Sequence, residues 1–325
     1  MSSANLIDKP RHHLLHPACG EGPLNIFFAG SGFSYDYLYD FGIRKRLLSW
    51  HANTEKDIRL YIEGQKCGRE SFGIVDSGAF TVWNKGGTLN IDEYHAKLMQ
   101  LMPYFDIAAN LDVIPGEQGK RDEITPAMNN EAAQASWDNY VELQRRFVAD
   151  GYDSSRIMPI YHQGESLDWL RRIVDSGCGY IGISPSNDCG SSRRRLWLDD
   201  VYEILSEQPV LPKTHGYAVT SPTLMREYPW YSVDSSSWVQ LGAFGGIFTP
   251  YGSYLGVRKD GRFEGAKWPP EMKKKLSDYF EYCGTTFEEV VDHYKARWRV
   301  NIIYHIDLEE KCSFKSRKRT SMLFD

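Results

Sequence analysis

The chain lacks most of the marks that assign a protein to a class at a glance. Its six cysteines, Cys19, Cys67, Cys178, Cys189, Cys283 and Cys312, form no C-x-x-C or C-x-C pair, so neither a zinc knuckle nor a thioredoxin-type motif is written in them. No apolar run approaches the roughly 20 residues that a membrane-spanning helix needs. Met1–His16 is polar, with Lys9, Arg11 and three histidines, unlike the apolar centre of a secretory signal. The expectation is a soluble protein of the reducing cytoplasm (the host's, if phage-encoded), with thiols rather than disulfides and no membrane partner. Basic residues are not in excess: 38 Lys and Arg stand against 43 Asp and Glu, a net charge of −5. That excludes a histone-like binder but not a local basic face. Gly30-Ser31-Gly32 has neither the later glycine of G-x-G-x-x-G nor a Walker lysine, and reads as a tight strand-to-helix turn rather than a phosphate cradle. There is no internal repeat and no linker.

What is there is alternation. Apolar strands are expected at Leu24–Ala29, Phe72–Val75, Phe105–Val113, Arg156–Tyr161, Tyr180–Ser184, Val210–Tyr217, the run ending at Asp234, and Gly246–Thr249. Between them fall helical stretches at Tyr37–Trp50, Thr54–Gly64, Ile91–Met102, Pro126–Asp150, Leu167–Asp175, Leu196–Glu207 and Pro222–Glu227. Ile91, Tyr94, Leu98 and Leu101 recur at helical spacing behind an acidic first turn. Strands alternating with helices argue a parallel sheet, and eight of them argue a closed α/β barrel of the TIM-like (β/α)8 type. The expected organisation is an irregular leader over 1–23, the barrel over 24–268, and a C-terminal extension over 269–325. That extension holds helices at Pro270–Tyr282 and Phe287–His305 and a basic tail with Lys315, Arg317, Lys318 and Arg319. His12, His13 and His16 in the leader read as solvated side chains, and no metal or cofactor is expected.

If the barrel forms, Asp76, Asp112, Gln163, Gly182, His215 and Asp234 lie at or near C-terminal strand ends and share one mouth, where such barrels carry their chemistry. A single Asp after a strand is most often a cap or turn former; the coincidence of six positions is the signal. Two carboxylates facing one pocket suit substitution at a sugar anomeric carbon, one attacking and one moving a proton. Asp112 and Gln163 suit a purine-like edge, since a carboxylate accepts from paired N–H groups while an amide donates and accepts. Phe80 offers a face for a planar base, or else core packing. Gly182 allows close approach to backbone, or else packs the barrel.

The set resembles the tRNA-guanine transglycosylase superfamily. The resemblance rests on Asp76-Ser77-Gly78-Ala79-Phe80, Asp112 after its strand, His162-Gln163-Gly164, Tyr180-Ile181-Gly182-Ile183-Ser184, His215-Gly216 and Val233-Asp234, and spans roughly residues 24–250. It implies base exchange. Asp234 is the nucleophile that expels guanine and leaves a covalent glycosyl-enzyme, and Asp76 is the general acid/base. Asp112, Gln163 and the Gly182 backbone read the base, Phe80 stacks on it, and Ser77, His162, His215 and Gly216 complete the base pocket. The family's tRNA-acting members carry a C-x-C-x-x-C…His zinc site after the nucleophile strand, whereas Trp238–Gly261 contains no cysteine. No zinc subdomain is therefore expected. His162 stands in place of a small residue and His215 in place of an apolar one.

Without the zinc site, the resemblance is closest to the phage and bacterial branch that inserts 7-deazaguanines such as preQ0 into DNA. The implied partners are DNA and the free 7-deazaguanine base. Such an enzyme must take the guanine out of its stack and needs cations for phosphates. Arg193, Arg194 and Arg195 are the first candidates, expected in a loop at the mouth; Lys259, Arg262, Lys267, Lys273–Lys275 and the tail are others. Two rival readings remain, a tRNA-guanine transglycosylase and a non-catalytic barrel serving as a nucleic-acid-binding or partner subunit. Oligomeric state is open, a homodimer included.

Overall fold

The computed structural model describes residues 21–30, 35–51, 55–116, 120, 123–186, 189–219, 221–257 and 268–315. The leader histidines, Ser31-Gly32, the cations Lys259, Arg262 and Lys267, and Arg317–Arg319 lie outside them. In chain order the elements are β1 (Glu21–Pro23), β2 (Asn25–Phe28), α1 (Tyr35–Tyr39), β3 (Lys45–Ser49), α2 (Glu55–Lys66), β4 (Phe72–Asp76), α3 (Ala79–Asn84), α4 (Ile91–Leu101) and β5 (Ile107–Ala109). Next come α5 (Pro126–Ala149), β6 (Ile157–Met158), β7 (Ile160–His162), α6 (Leu167–Asp175), β8 (Tyr180–Ser184), α7 (Ser191–Ser206), β9 (Lys213–Gly216), α8 (Pro222–Glu227) and β10 (Ser232–Ser235). The chain continues through α9 (Ser237–Ala243), β11 (Gly246–Thr249), β12 (Gly252–Gly256), α10 (Pro270–Tyr282), α11 (Phe287–Asp292), α12 (Tyr294–Lys311) and β13 (Ser313–Lys315).

The main sheet runs β6-β5-β4-β3-β2-β10-β9-β8-β7, and the pairings recorded in register are parallel. Its two outer members, β6 and β7, are halves of one segment, Ile157–His162, interrupted at Pro159. Proline has no N–H for the ladder, but its carbonyl still accepts from Gly182 N–H at 2.8 Å. The first half pairs with β5 and the second with β8, so the sheet closes as an eight-stranded (β/α)8 barrel. The count matches the expectation; the membership does not. Lys45–Ser49, expected inside a helix, is a barrel strand with five residues in register on β4. Gly246–Thr249, expected as the last barrel strand, instead pairs antiparallel with β12 in a separate hairpin.

Strand residues alternate between the two faces of the barrel wall. Phe27, Leu47, Phe72, Ile74, Ile107, Met158 and Tyr180 form one cluster, the barrel interior. Their neighbours Leu48, Val75, Ala108 and Ile157 join Tyr61, Tyr94, Leu98, Leu143 and Phe147 in the layer beneath the helices. This period of two aims Asp76, two residues after Ile74, into the barrel mouth. Ser49, its register partner two residues after Leu47, points the same way.

Two compact units divide the described chain, the barrel to Asp234 with 313–315, and Ser235–Cys312. In the second unit, Ile247, Val257, Leu276, Phe280, Val290 and Val300 form the core. Asn301, fully buried, donates to Trp238 O and Gly246 O and accepts from Phe248 N–H at 2.8 Å. The helix expected over Phe287–His305 is two, α11 started by a Thr286–Glu289 capping box and broken at His293, whose backbone is extended. No helix among the described residues is long and apolar enough to cross a membrane.

Candidate active site

Asp76 ends β4, and the next residues turn sharply into α3. Gly78 takes the left-handed conformation (φ 76°) and donates its N–H to Asp76 Oδ2 at 3.0 Å. A Cβ there would stand 2.7 Å from the Cβ of His51, so both dihedral and space require glycine. Burial, then the charges of Asp112 and Asp234, push the Asp76 carboxyl up to about 7, against the smaller opposing pull of Gly78 N–H and the Ser49 hydroxyl. A carboxyl that titrates there exchanges a proton at neutral pH.

Asp112 lies three residues beyond β5 on a stretch tied to α5: Asn139 donates to Leu111 O at 2.9 Å, Val113 N–H donates to Ser136 Oγ at 2.8 Å, and Asn110 donates to Ser136 O at 2.7 Å. Its own oxygens are both engaged. Ser77 Oγ donates to Oδ1 at 3.0 Å, and His162 Nε2 stands 3.0 Å from Oδ2. Burial pulls the His162 imidazole down, but the Asp112 contact and charge, with Glu165 and Asp76 behind it, raise it above its usual value. Glu165 is itself pushed up to about 7, chiefly by burial.

Asp234 sits on β10, with its Oδ1 accepting from Ala218 N–H at 2.8 Å. Ala218 holds a positive φ of 50°, the one non-glycine among the described residues to do so. Below Asp234, His215 is wholly buried, its Nε2 3.5 Å from Asp234 Oδ1 and its Nδ1 2.7 Å from Ser232 Oγ. Register pairs Ser232 with His215 and His215 with Gly182 across adjacent strands.

Asp76, Asp112, Asp234, Ser77 and His162 thus converge on one mouth, with His215 buried beneath Asp234. Gly182 and Gly216 stand where there is no room for a side chain: a Cβ on Gly182 would lie 2.7 Å from the Tyr217 ring, and one on Gly216 would meet Val219 and Trp230. Gln163 Oε1 accepts from Ser186 N–H at 2.9 Å, tying down the loop after β8, while its amide N–H₂ has no partner among the described residues. Phe80 is half exposed, its ring 5.9 Å from Trp83. Arg193, Arg194 and Arg195 form the first turn of α7 rather than a loop. Arg195 is spent on Glu227, with two N–O contacts at 2.7 and 2.8 Å, and Arg194 donates to Cys189 O. Arg193 is exposed and without an ion pair among the described residues.

No family model matches the chain, and no curated protein is similar to it.

Sequence reasoning missed Ser49, the last residue of the unrecognised strand β3, His51 just beyond it, and Tyr217, which follows His215-Gly216. The Tyr217 hydroxyl is buried without a hydrogen-bond partner among the described residues, and burial plus the charges of Asp76, Asp112 and Asp234 hold its proton far more tightly than usual.

Proposed function

We propose that the chain is a DNA guanine transglycosylase that exchanges guanine in DNA for a 7-deazaguanine, preQ0 or a derivative, through a covalent aspartyl-glycosyl intermediate. The observation that carries this reading is the pairing of a carboxyl raised to about 7 at Asp76 with a second carboxyl at Asp234 near enough to help raise it. A proton donor and a nucleophile at one mouth suit glycosyl transfer.

Asp234 attacks C1′ of the target nucleoside, its oxygen–C1′ bond forms, and the C1′–N9 bond breaks with its electron pair going to guanine. Asp76 supplies the proton that lets guanine leave neutral. The incoming 7-deazaguanine gives its N9 proton to Asp76 and attacks C1′, and the ester electrons return to Asp234. Asp112, steadied by Ser77 and His162, accepts from the base's N–H edge, and the free amide of Gln163 donates to it. Tyr217 is a further donor to the bound base. The polymer assigned is DNA in the cytoplasm, approached by Arg193, the one member of the arginine run left free for phosphate.

The test is to incubate the protein with a labelled 7-deazaguanine and either duplex DNA or tRNA. Label in DNA that is lost on Asp234→Asn is expected. Label in tRNA alone assigns the tRNA reaction instead, and label in neither polymer favours the non-catalytic barrel.

A further inference from the structure

Beneath Asp234 runs a buried chain of polar groups that base exchange alone does not explain. The Tyr180 hydroxyl is 2.5 Å from Ser232 Oγ, Ser232 Oγ is 2.7 Å from His215 Nδ1, and His215 Nε2 is 3.5 Å from Asp234 Oδ1. Tyr180, Ser232 and His215 are at most 2% exposed. The imidazole is also walled by rings edge-on to it: Phe27 at 5.8 Å, Tyr180 at 6.4 Å and Tyr217 at 4.8 Å. It cannot turn toward the mouth to touch a base, as expected from its place in the motif, without leaving both polar partners.

The proton positions follow from elimination. An unprotonated Nε2 would aim a lone pair at a carboxylate oxygen in a dry site, so Nε2 carries the hydrogen. Nδ1 then accepts, Ser232 donates to it, and Ser232 accepts from the Tyr180 O–H, whose proton burial retains. The donors run one way and end at His215, whose Nε2 faces Asp234 Oδ1 at 3.5 Å, longer than a hydrogen bond.

We propose that His215 is a positioning residue that, with Ala218 N–H, clamps Asp234 Oδ1, leaves Oδ2 as the attacking atom and favours release of the glycosyl group. This rests on the exchange reading above. Oδ1 accepts one hydrogen bond, from Ala218 N–H on a backbone held at positive φ, a conformation that persists where the surroundings impose it, and has the His215 Nε2 at 3.5 Å, a longer electrostatic contact rather than a hydrogen bond. The two N–H groups act differently on the two half-reactions. A hydrogen bond to a carboxylate is stronger than one to a neutral ester carbonyl. Donors on Oδ1 therefore stabilise Asp234 as the carboxylate expelled when the new base attacks, and temper it as a nucleophile beforehand. Removing one should slow the second half-reaction relative to the first.

The test uses radiolabelled guanine and a guanine-containing DNA duplex, with wild type, His215→Leu, His215→Gln and Ser232→Ala. Exchange is read as kcat and the covalent protein–DNA adduct as the fraction trapped on rapid denaturation. His215→Leu is expected to lower kcat by about tenfold, the loss of one N–H dipole 3.5 Å from a buried charged group, while the adduct fraction rises. His215→Gln, which keeps an amide N–H near Nε2, restores most of the rate. Ser232→Ala keeps the imidazole but frees it, and shifts both readouts in the direction of His215→Leu, so a failure of that variant to fold does not remove the test. Exchange and adduct in the wild type with neither readout altered in the variants overturns the role of His215 alone. A fall in kcat with an equal fall in adduct also overturns it, since loss of structure would do the same. A wild type that gives neither exchange nor adduct overturns the exchange reading and this role together.

Discussion

Replacing Asp76 by Asn should make the protein more stable at neutral pH and no more stable in acid. In the folded chain the Asp76 carboxyl is raised from 3.8 to about 7. At 1.36 kcal/mol per unit, that difference is worth about 4 kcal/mol. The sign follows from proton binding. Between the two values the folded state holds a proton that the unfolded chain has released, so stability falls as pH rises through this window and is lowest above pH 7. Asp76→Asn is close to isosteric with the protonated acid, keeps an oxygen for Gly78 N–H, and removes the penalty. Its gain should be near zero at pH 4 and approach about 4 kcal/mol at pH 8, less whatever the Ser49 contact loses, about 1 kcal/mol. Glu165 is also pushed up to about 7, but it is present in both proteins and cancels in the difference. Thermal unfolding of the two proteins at pH 4 and pH 8 measures the effect. A gap that does not widen with pH would refute the raised carboxyl and, with it, the proton-shuttling role. Asp112 contributes more to the shift than Asp234 does, so Asp112→Asn should bring the Asp76 titration, followed by carboxyl carbon NMR, further down than Asp234→Asn.

Four other outcomes are expected. Ala218→Gly relieves the positive φ and should raise stability by about 0.5–1 kcal/mol while loosening the hold on Asp234 Oδ1, so denaturant midpoint rises as exchange falls. Gly182→Ala drives a methyl against Tyr217 and should cost about 1–3 kcal/mol, part of it recovered when Tyr217 is also replaced by Ala. Arg193→Ala should reduce the salt slope of DNA binding by about 1, whereas Arg195→Ala, already paired to Glu227, should change it much less; filter binding over a salt series compares them. Asn301→Ala strands Trp238 O, Gly246 O and Phe248 N–H and should destabilise the second unit by about 3 kcal/mol, read in hydrogen exchange of that unit.

The barrel was legible because its strands are apolar and its helices periodic, and strand β4 with Asp76 fell where the pattern put it. Strand β3 was not. Lys45 and Arg46 open it, and a charged pair before Leu-Leu-Ser reads as the end of a helix. In the fold Arg46 is buried against Glu70, 3.4 Å away in the connection before β4, and a partner so far along the chain cannot be seen in a local window. Gly246–Thr249 failed for the opposite reason: apolar alternation marks a strand but does not say which sheet it joins. The carboxylates of the mouth were readable from their strand ends. Tyr217, Ser49 and the inward face of His215 were not, because they depend on which strands are neighbours. The arginine run was visible as charge, but its pairing with Glu227 was not.

The rival most worth weighing is a barrel with no chemistry, and the distribution of strain bears on it. Three carboxylates face one another across the mouth, one of them raised at a cost of about 4 kcal/mol. Ala218 sits where glycine is easier, and Tyr217 buries a hydroxyl with no hydrogen-bond partner among the described residues. Each feature has a simple stabilising replacement: amide for carboxylate, glycine for alanine, phenylalanine for tyrosine. A scaffold kept only for its shape gains from all three and loses nothing. Some buried charges elsewhere in the barrel have a close partner. Arg46 has its carboxylate, and Lys213 has the face of Tyr231, 4.4 Å from its ammonium. Like charge, backbone strain and an unpaired hydroxyl meet at the mouth, around Asp234, although single buried groups without a hydrogen bond, such as Trp197 Nε1, occur elsewhere among the described residues.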